Sequence, residues 1–393
     1  MRRFSVFISV LLLSAAGFSF QSANSPASPQ EGDAAKPVAA KSTTLPPITA
    51  QGPQLRQIAI LDLPGRPGFD SVVFANGKLV IAHQGANTVD IFDPEMRRLA
   101  AQISNISDPR GLALDPATGN VYIACAGSNS IAVLSSGNWQ VTQMIPLGRS
   151  PENLLFVPQT KTLYATTPLE GSIAVIPVGN GGANAGSLDI QGRPEQMAWD
   201  AEKNLLYVTV EDRNSVAIVD PSRAKSLTAV AAAQATAQGV PSANGQPVSA
   251  SSAIVREFPL LASQPTGLLL DPSSHRLYVA VRYAVLQLDP DSGAELARVP
   301  APAGTDSLWL DSATKTLYAA AVDGSVVQMS ASGTLVGENE YRSEVRGYAM
   351  AYDPQSKTMF LSGGREGRSK LVILKQFGQA AVPDATQTDV AQK

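Results

Sequence analysis

The stretch LLYVTVEDRNSVAIVD, residues 205–220, decides the fold. It reads as two short apolar strands joined by the polar turn Glu211-Asp212-Arg213-Asn214, and close relatives of it recur along the chain. Aligned on the aromatic or large apolar residue that opens the second strand of each unit, they fall at Val80, Tyr122, Tyr164, Tyr207, Tyr278, Tyr318 and Phe360. The spacings are 42, 42, 43, 71, 40 and 42 residues. A period near 40 with several strands per unit is the mark of propeller blades, so seven markers predict seven blades.

A second ruler agrees with the first. Seven residues before five of these markers stands an aspartate: Asp115, Asp200, Asp271, Asp311 and Asp353. An aspartate carboxylate can accept from the backbone N–H two residues on and so fix a tight reversal, which assigns these residues to turns rather than to metal ligation. Each unit then divides into four strands, as in Gly111-Leu112-Ala113-Leu114, Asn120-Val121-Tyr122-Ile123-Ala124, Ser130-Ile131-Ala132-Val133-Leu134 and Val141-Thr142-Gln143-Met144-Ile145-Pro146-Leu147. The first strand is nearly all apolar or small, as expected of an inner strand packed on both faces, and the last is more polar, as expected of an outer edge.

The one irregular spacing, 71, locates an insert at residues 225–253, rich in Ala, Ser and Gln, between the third and fourth strands of blade 4. Its composition predicts a disordered loop that leaves the ring intact. The last unit lacks a fourth strand, while the start of the repeats has a surplus one, Gln57-Ile58-Ala59-Ile60-Leu61-Asp62-Leu63. The expected fold is therefore all-β: a seven-bladed β-propeller of four-stranded blades over residues 55–378, with blade 7 closed by the N-terminal strand at about 56–63. Closure of this kind removes an open sheet edge.

These repeats resemble the YVTN-repeat seven-bladed propellers, also described as YncE-like or lactonase-like. The resemblance rests on Pro109-Arg110-Gly111-Leu112-Ala113-Leu114-Asp115-Pro116, on Tyr207-Val208-Thr209-Val210 with Asn214-Ser215-Val216-Ala217-Ile218-Val219-Asp220, and on Pro265-Thr266-Gly267-Leu268 with Tyr278-Val279-Ala280-Val281. Blade 1 departs from the pattern in its short turn Ala75-Asn76-Gly77, and blade 6 in carrying Thr305 where the pattern has Pro. The resemblance implies the fold; one propeller scaffold carries unrelated activities.

Composition bounds the function. The 393 residues are 44% hydrophobic and only 16% charged, which suits a strand-and-turn protein. Residues 1–23 have the Arg2-Arg3 n-region and the apolar run of a secretory signal peptide, too short for the ~20 residues of a spanning helix. A polar spacer (24–54) and a polar tail (379–393) are expected to be disordered. Periplasmic or secreted residence follows, with no membrane attachment after cleavage. Loss of the leader's two arginines takes the formal net charge from −3 to −5, so nucleic acid is not an expected partner. Cys125 is the only cysteine, which excludes an internal disulfide, and a monomer is expected.

In such a ring the loops leading into each first strand and those between second and third strands share the face at the channel mouth. The mouth positions are Asp70, Arg110, Glu152, Glu195, Thr266, Asp306 and Tyr348, and the adjoining loops add His83, Glu211, Arg213 and Arg282. Four acids, Asp70, Glu152, Glu195 and Asp306, could hold Ca²⁺ or another divalent cation through oxygen ligands, as the lactonase-like resemblance implies, or bind a basic or sugar-like ligand. His83 is a candidate general base, and with His275 the only histidine, so a His-rich metal centre is excluded. No Gly-x-Ser-x-Gly elbow, Cys-His pair, phosphate loop or haem-attachment motif occurs. The sequence therefore points to a binding or scaffold protein without a cofactor, taking a small molecule, glycan or protein at the mouth, ahead of a lactonase-like hydrolase that would use a divalent cation.

Overall fold

A computed structural model describes residues 54–180, 185–226 and 252–377. Seven antiparallel sheets follow one another along the chain, spanning residues 72–103, 109–146, 154–189, 194–259, 268–300, 305–342 and 346–377, the last completed by Gln54–Leu63. In the first six blades the strands lie in chain order from first to fourth, and in blade 7 the N-terminal strand takes the fourth place. The first strands of neighbouring blades adjoin one another all the way round, so they form the inner wall of the ring.

The hairpin that identifies the repeat shows why the sheets stack. Leu206, Val208 and Val210 of the second strand Leu205–Val210, with Ala217 and Val219 of the third, pack toward blade 3. The alternate residues Tyr207, Val216 and Ile218 pack toward blade 5. A strand buried on both faces has no polar side to show, so the period-2 alternation of a half-exposed strand is replaced by a continuous apolar run. Among the described residues the same arrangement gives one apolar cluster between every pair of adjacent blades. The marker residues are buried throughout, from Val80 to Phe360.

The inner strands differ from expectation. In blade 5 the first strand Leu268–Asp271 keeps its two central residues half-exposed, whereas Leu277 to Val281 of the second strand are buried. An inner strand gives up part of its surface to the channel, and the middle strands, not the first, are the ones enclosed on both sides.

All five turn aspartates accept from the backbone N–H two residues on: Ala117 to Asp115, Glu202 to Asp200, Ser273 to Asp271, Ala313 to Asp311 and Gln355 to Asp353, at 2.9–3.0 Å. On the opposite face, the turns after the second strands of blades 1, 2 and 4 place Asn87, Asn129 and Asn214 in the left-handed region, at φ 54, 52 and 50. Asparagine tolerates that region, and Asn87 and Asn214 also accept from Asp108 N and Gln264 N in the next inter-blade loop.

The N-terminal strand closes blade 7, as expected, and is longer than the sequence suggested. It pairs from Gln54 opposite Phe377 to Leu63 opposite Ser369, with an irregularity between Gln57 and Ala59. Gln54 thus belongs to the strand rather than to the spacer. Residues 1–53 and 378–393, where a leader, spacer and tail are expected, lie outside the described residues. So does most of the blade 4 insert, but its two ends are placed. Lys225–Ser226 adds a fifth, two-residue strand to blade 3 by pairing with Gly186 and Ser187, and Ala253 is buried in the core between blades 3 and 4.

Closure by two separate chain segments leaves a mark on the neighbouring blade. In blade 5, Gln287 donates from Nε2 to the Gly333 carbonyl and accepts at Oε1 from Leu335 N, so it grips the turn between the third and fourth strands of blade 6. Gln328 occupies the corresponding site in blade 6, but no such turn joins the third and fourth strands of blade 7. Its Oε1 has no partner among the described residues, although the residue is only 1% exposed. A buried unpaired amide oxygen costs about 1–3 kcal/mol, and removing a satisfied amide that grips two backbone groups costs about as much. Gln328 Nε2 still donates to Glu338 Oε2, at 3.4 Å, so Gln328→Met is expected to cost less urea stability than Gln287→Met, which lowers it by at least ~1 kcal/mol. Equal losses in both variants would contradict this account.

Candidate functional site

Each mouth residue owes its direction to one local device. In every blade two residues of the first strand oppose a single residue of the second. Asp70 N donates to Ala82 O while Ala82 N donates to Ser71 O, and the same exchange links Glu152 and Asn153 to Thr166, and Thr266 and Gly267 to Ala280. In blades 2, 4, 6 and 7 the pairing registers shift at Pro109/Leu112, Pro194/Met197, Thr305/Ser307 and Arg346/Ala349. These are β-bulges, which bend a strand and re-aim a side chain. Seven bulges therefore place Asp70, Arg110, Glu152, Glu195, Thr266, Asp306 and Tyr348 around one mouth.

The groups interact across it. Arg110 lies 3.7 Å from Asp70 Oδ2 and 3.5 Å from Glu152 Oε1, and its Nε donates to Asp108 Oδ1 at 3.2 Å. Arg193 bridges Glu195 and Glu211 at 3.8 and 3.4 Å. Gln196 reaches from blade 4 past blade 5 to Asp306 in blade 6, donating from Nε2 to its carboxylate at 3.0 Å and to its backbone carbonyl at 3.2 Å. Space for this reach exists because blade 5 offers only Thr266, whose hydroxyl is spent on the Thr305 carbonyl at 2.7 Å.

Crowded acids in a confined mouth ionise late. Burial first, then repulsion from Asp306, pushes the Asp70 carboxyl up to about 7, against the pull of Arg110. Burial, with Glu152, Glu211 and Asp306 nearby, pushes Glu195 up to about 8. Burial raises Asp306 to about 6, with the Gln196 amide opposing it. The Tyr348 hydroxyl is also raised, by burial and then by the Asp70 and Asp306 charges. A cleft of about 320 Å³ opens beside Tyr348, lined by Phe69, Val322, the glycine backbone of Gly347, Gly363 and Gly364, and by Ser362 and Arg346. The ring thus offers carboxyl groups in excess of cations, next to an apolar recess.

Of the sequence candidates, Asp70, Arg110, Glu152, Glu195, Asp306 and Tyr348 come together, with Glu211 beside Glu195. Three others do not. His83 is fully buried, donates from Nε2 to the Arg66 carbonyl at 2.8 Å, lies 2.7 Å from Asp90 Oδ2 through Nδ1, and stacks on Phe69. Ser369 Oγ is 3.1 Å from the same Nε2, which mimics a Ser-His-Asp triad, but that hydroxyl donates to the Gly65 carbonyl. With Nε2 already donating, His83 cannot take the serine proton, so it is not a general base. Arg213 turns away to the outer strand of blade 4, paired with Glu257 and donating to the Ile190 and Gln191 carbonyls. Arg282 is exposed on a loop tip with its guanidinium 5.3 Å from the Tyr283 ring centre.

The four acids do not form the ligand shell a divalent cation would need. Among the described residues no group of three His, Cys, Asp or Glu side chains is close enough to hold a metal ion. Arg110 stands between Asp70 and Glu152, and Gln196 engages Asp306. Cys125 is buried, with its thiol pushed up to about 11 by burial, as suits a core filler rather than a nucleophile. Sequence reasoning missed Gln196, Arg193 and the recess. Gln196 follows Glu195 directly, and only the bulge, which has no signature in residue types, turns both toward the mouth.

No protein-family model and no curated protein matches the sequence. Solved structures do. Virginiamycin B lyase from Staphylococcus aureus superposes with a TM-score of 0.61 at 12% identity, over 82% of this chain and 99% of that one. A chain of a mitotic checkpoint complex gives 0.61 at 14% identity, over 90% and 99%. A Kuenenia stuttgartiensis hydrazine synthase chain gives 0.61 at 16% identity, over 81% and 97%. At such identities the likeness shows the shared propeller fold.

Proposed function

We propose that this chain is an exported, non-catalytic binding protein whose site is the carboxyl ring at the channel mouth and whose ligand carries a positive charge. The observation that carries the reading is the excess of confined carboxyls, three of them raised to about 6, 7 and 8, over the two arginines among them, Arg110 and Arg193. An ammonium or guanidinium group placed among them would restore their ionised state and return the repulsion as binding energy. A neutral sugar would not, and an anion would meet the wrong charge. Export rests on the leader read at 1–23, and a mature N-terminus located before residue 24 checks it.

Cation binding linked to carboxyl ionisation has a definite sign. Binding favours the carboxylates, so it releases protons and tightens as pH rises through the window 6–8. Calorimetric titration with n-butylammonium and n-butylguanidinium is expected to show at least tenfold tighter binding at pH 8.5 than at pH 5, about 1.4 kcal/mol. Glu195→Gln and Asp306→Asn should each weaken it several-fold at the higher pH. Affinity indifferent to pH and to both substitutions would sink the proposal.

A further inference from the structure

The mouth face carries apolar side chains that the core does not use. Leu169 is 82% exposed on the blade 3 loop, Leu261 91% on the loop between blades 4 and 5, Tyr283 58% on the blade 5 loop and Val322 47% on the blade 6 loop. All four lie on the loops that surround the mouth, in an arc over the blades that contribute Glu152, Glu195 and Asp306. Val322 also lines the 320 Å³ recess beside Tyr348, with Phe69 and Pro67. Exposed apolar residues scattered singly are ordinary; these four are set apart by sharing the face of the acidic mouth and its recess.

Tyr283 sits at φ 69, in the left-handed region that the turn also imposes on Asn87, Asn129 and Asn214 on the corresponding loops of other blades. Its exposed ring, with the Arg282 guanidinium 5.3 Å from its centre, stands at the tip of the blade 5 loop.

We infer that the mouth face docks a polypeptide segment whose tip carries a lysine or arginine beside a large apolar side chain. The cation enters the carboxyl ring, the apolar side chain fills the recess beside Tyr348, and Leu169, Leu261 and Tyr283 cover the flanks. This rests on the reading of the ring as a cation site and adds the class of ligand. A small amine could satisfy the ring and the recess but would leave the arc of loops across blades 3 to 6 uncovered. Charge complementarity with the acidic mouth selects a basic tip over an acidic one.

A labelled, disulfide-closed hairpin peptide with Arg-Phe at its tip, compared with Arg-Ala and Gln-Phe tips, tests this by fluorescence anisotropy on the full chain at pH 8. The Arg-Phe peptide is expected to bind at least tenfold more tightly than either relative. Val322→Gln, Leu169→Gln and Tyr283→Gly, neutral changes at exposed positions, should each weaken Arg-Phe binding threefold or more without lowering the melting temperature. Equal binding of Arg-Phe and Arg-Ala tips, with all three variants silent, overturns the polypeptide inference and leaves the cation site standing. Absence of binding by every cationic peptide, together with absence of n-butylammonium binding, overturns both.

Discussion

Asp70→Asn is expected to make the protein more stable, with a gain that is clearly larger at pH 8 than at pH 5. The Asp70 carboxyl is raised from 3.8 to about 7, first by burial and then by the Asp306 charge. The folded protein therefore holds a proton that the unfolded chain has released between about pH 4 and pH 7. A group raised in this way contributes stability that is complete below its unfolded value and is lost as pH rises through its folded one. Asp306, raised to about 6, and Glu195, raised to about 8, act in the same direction. Unliganded protein should thus be more stable at pH 5 than at pH 8.5, the reverse of acid denaturation.

The size of the effect follows from the same numbers. A carboxyl moved from 3.8 to about 7 stores up to roughly 4 kcal/mol once it is forced to ionise. The three sites repel one another, so their contributions do not add, and relief at one relieves the rest. Removing the Asp70 charge should return about 1–3 kcal/mol at pH 8. Urea unfolding at pH 5, 6.5 and 8 gives the comparison, and a destabilised Asp70→Asn at pH 8 would show that Arg110 outweighs the crowding. Glu195→Gln supplies a second site in the same test, with its gain displaced to higher pH.

The pattern of what the sequence disclosed has a physical cause. Blade number, strand order and ring closure were legible because they depend on periodic packing: Tyr207 and its six counterparts must be buried, and Asp115 and its counterparts must turn the chain. The mouth was legible as a set of positions, since repeats put Asp70, Glu152, Glu195 and Asp306 at one register. How those side chains meet was not legible. Gln196 crosses a blade because Thr266 is small, and Arg213 leaves the mouth because Glu257, 44 residues away in sequence, draws it outward. His83 looked like a mouth residue by its place at the end of a strand, yet it is buried against Asp90 of its own hairpin, the Arg66 carbonyl, and Ser369, which only ring closure brings near.

That last residue carries the second large expectation: His83→Ala should cost about 3–5 kcal/mol and loosen the ring at its seam. The imidazole ties the end of the second strand of blade 1 to three places. It donates to Arg66 O on the link from blade 7, approaches Ser369 on the third strand of blade 7 at 3.1 Å, and meets Asp90 on the third strand of blade 1 at 2.7 Å. Asp90 is completely buried and also accepts from Thr88 Oγ1 and Gln102 Nε2. Without His83 that carboxylate would lose its strongest partner inside the core, and a buried carboxylate left so costs far more than an exposed pair is worth. The first amides to lose hydrogen-exchange protection should be those pairing Gln54–Leu63 with Arg368–Phe377, since the junction of these two segments inside blade 7, next to blade 1, is where the ring lacks a continuous chain. In a double-mutant cycle, Asp90→Leu added to His83→Ala should recover part of the loss by removing the stranded charge. A His83→Ala variant within ~0.5 kcal/mol of the parent, with the seam still protected, would show that the apolar cluster of Leu63, Phe69, Leu79 and Ile373 closes the ring unaided.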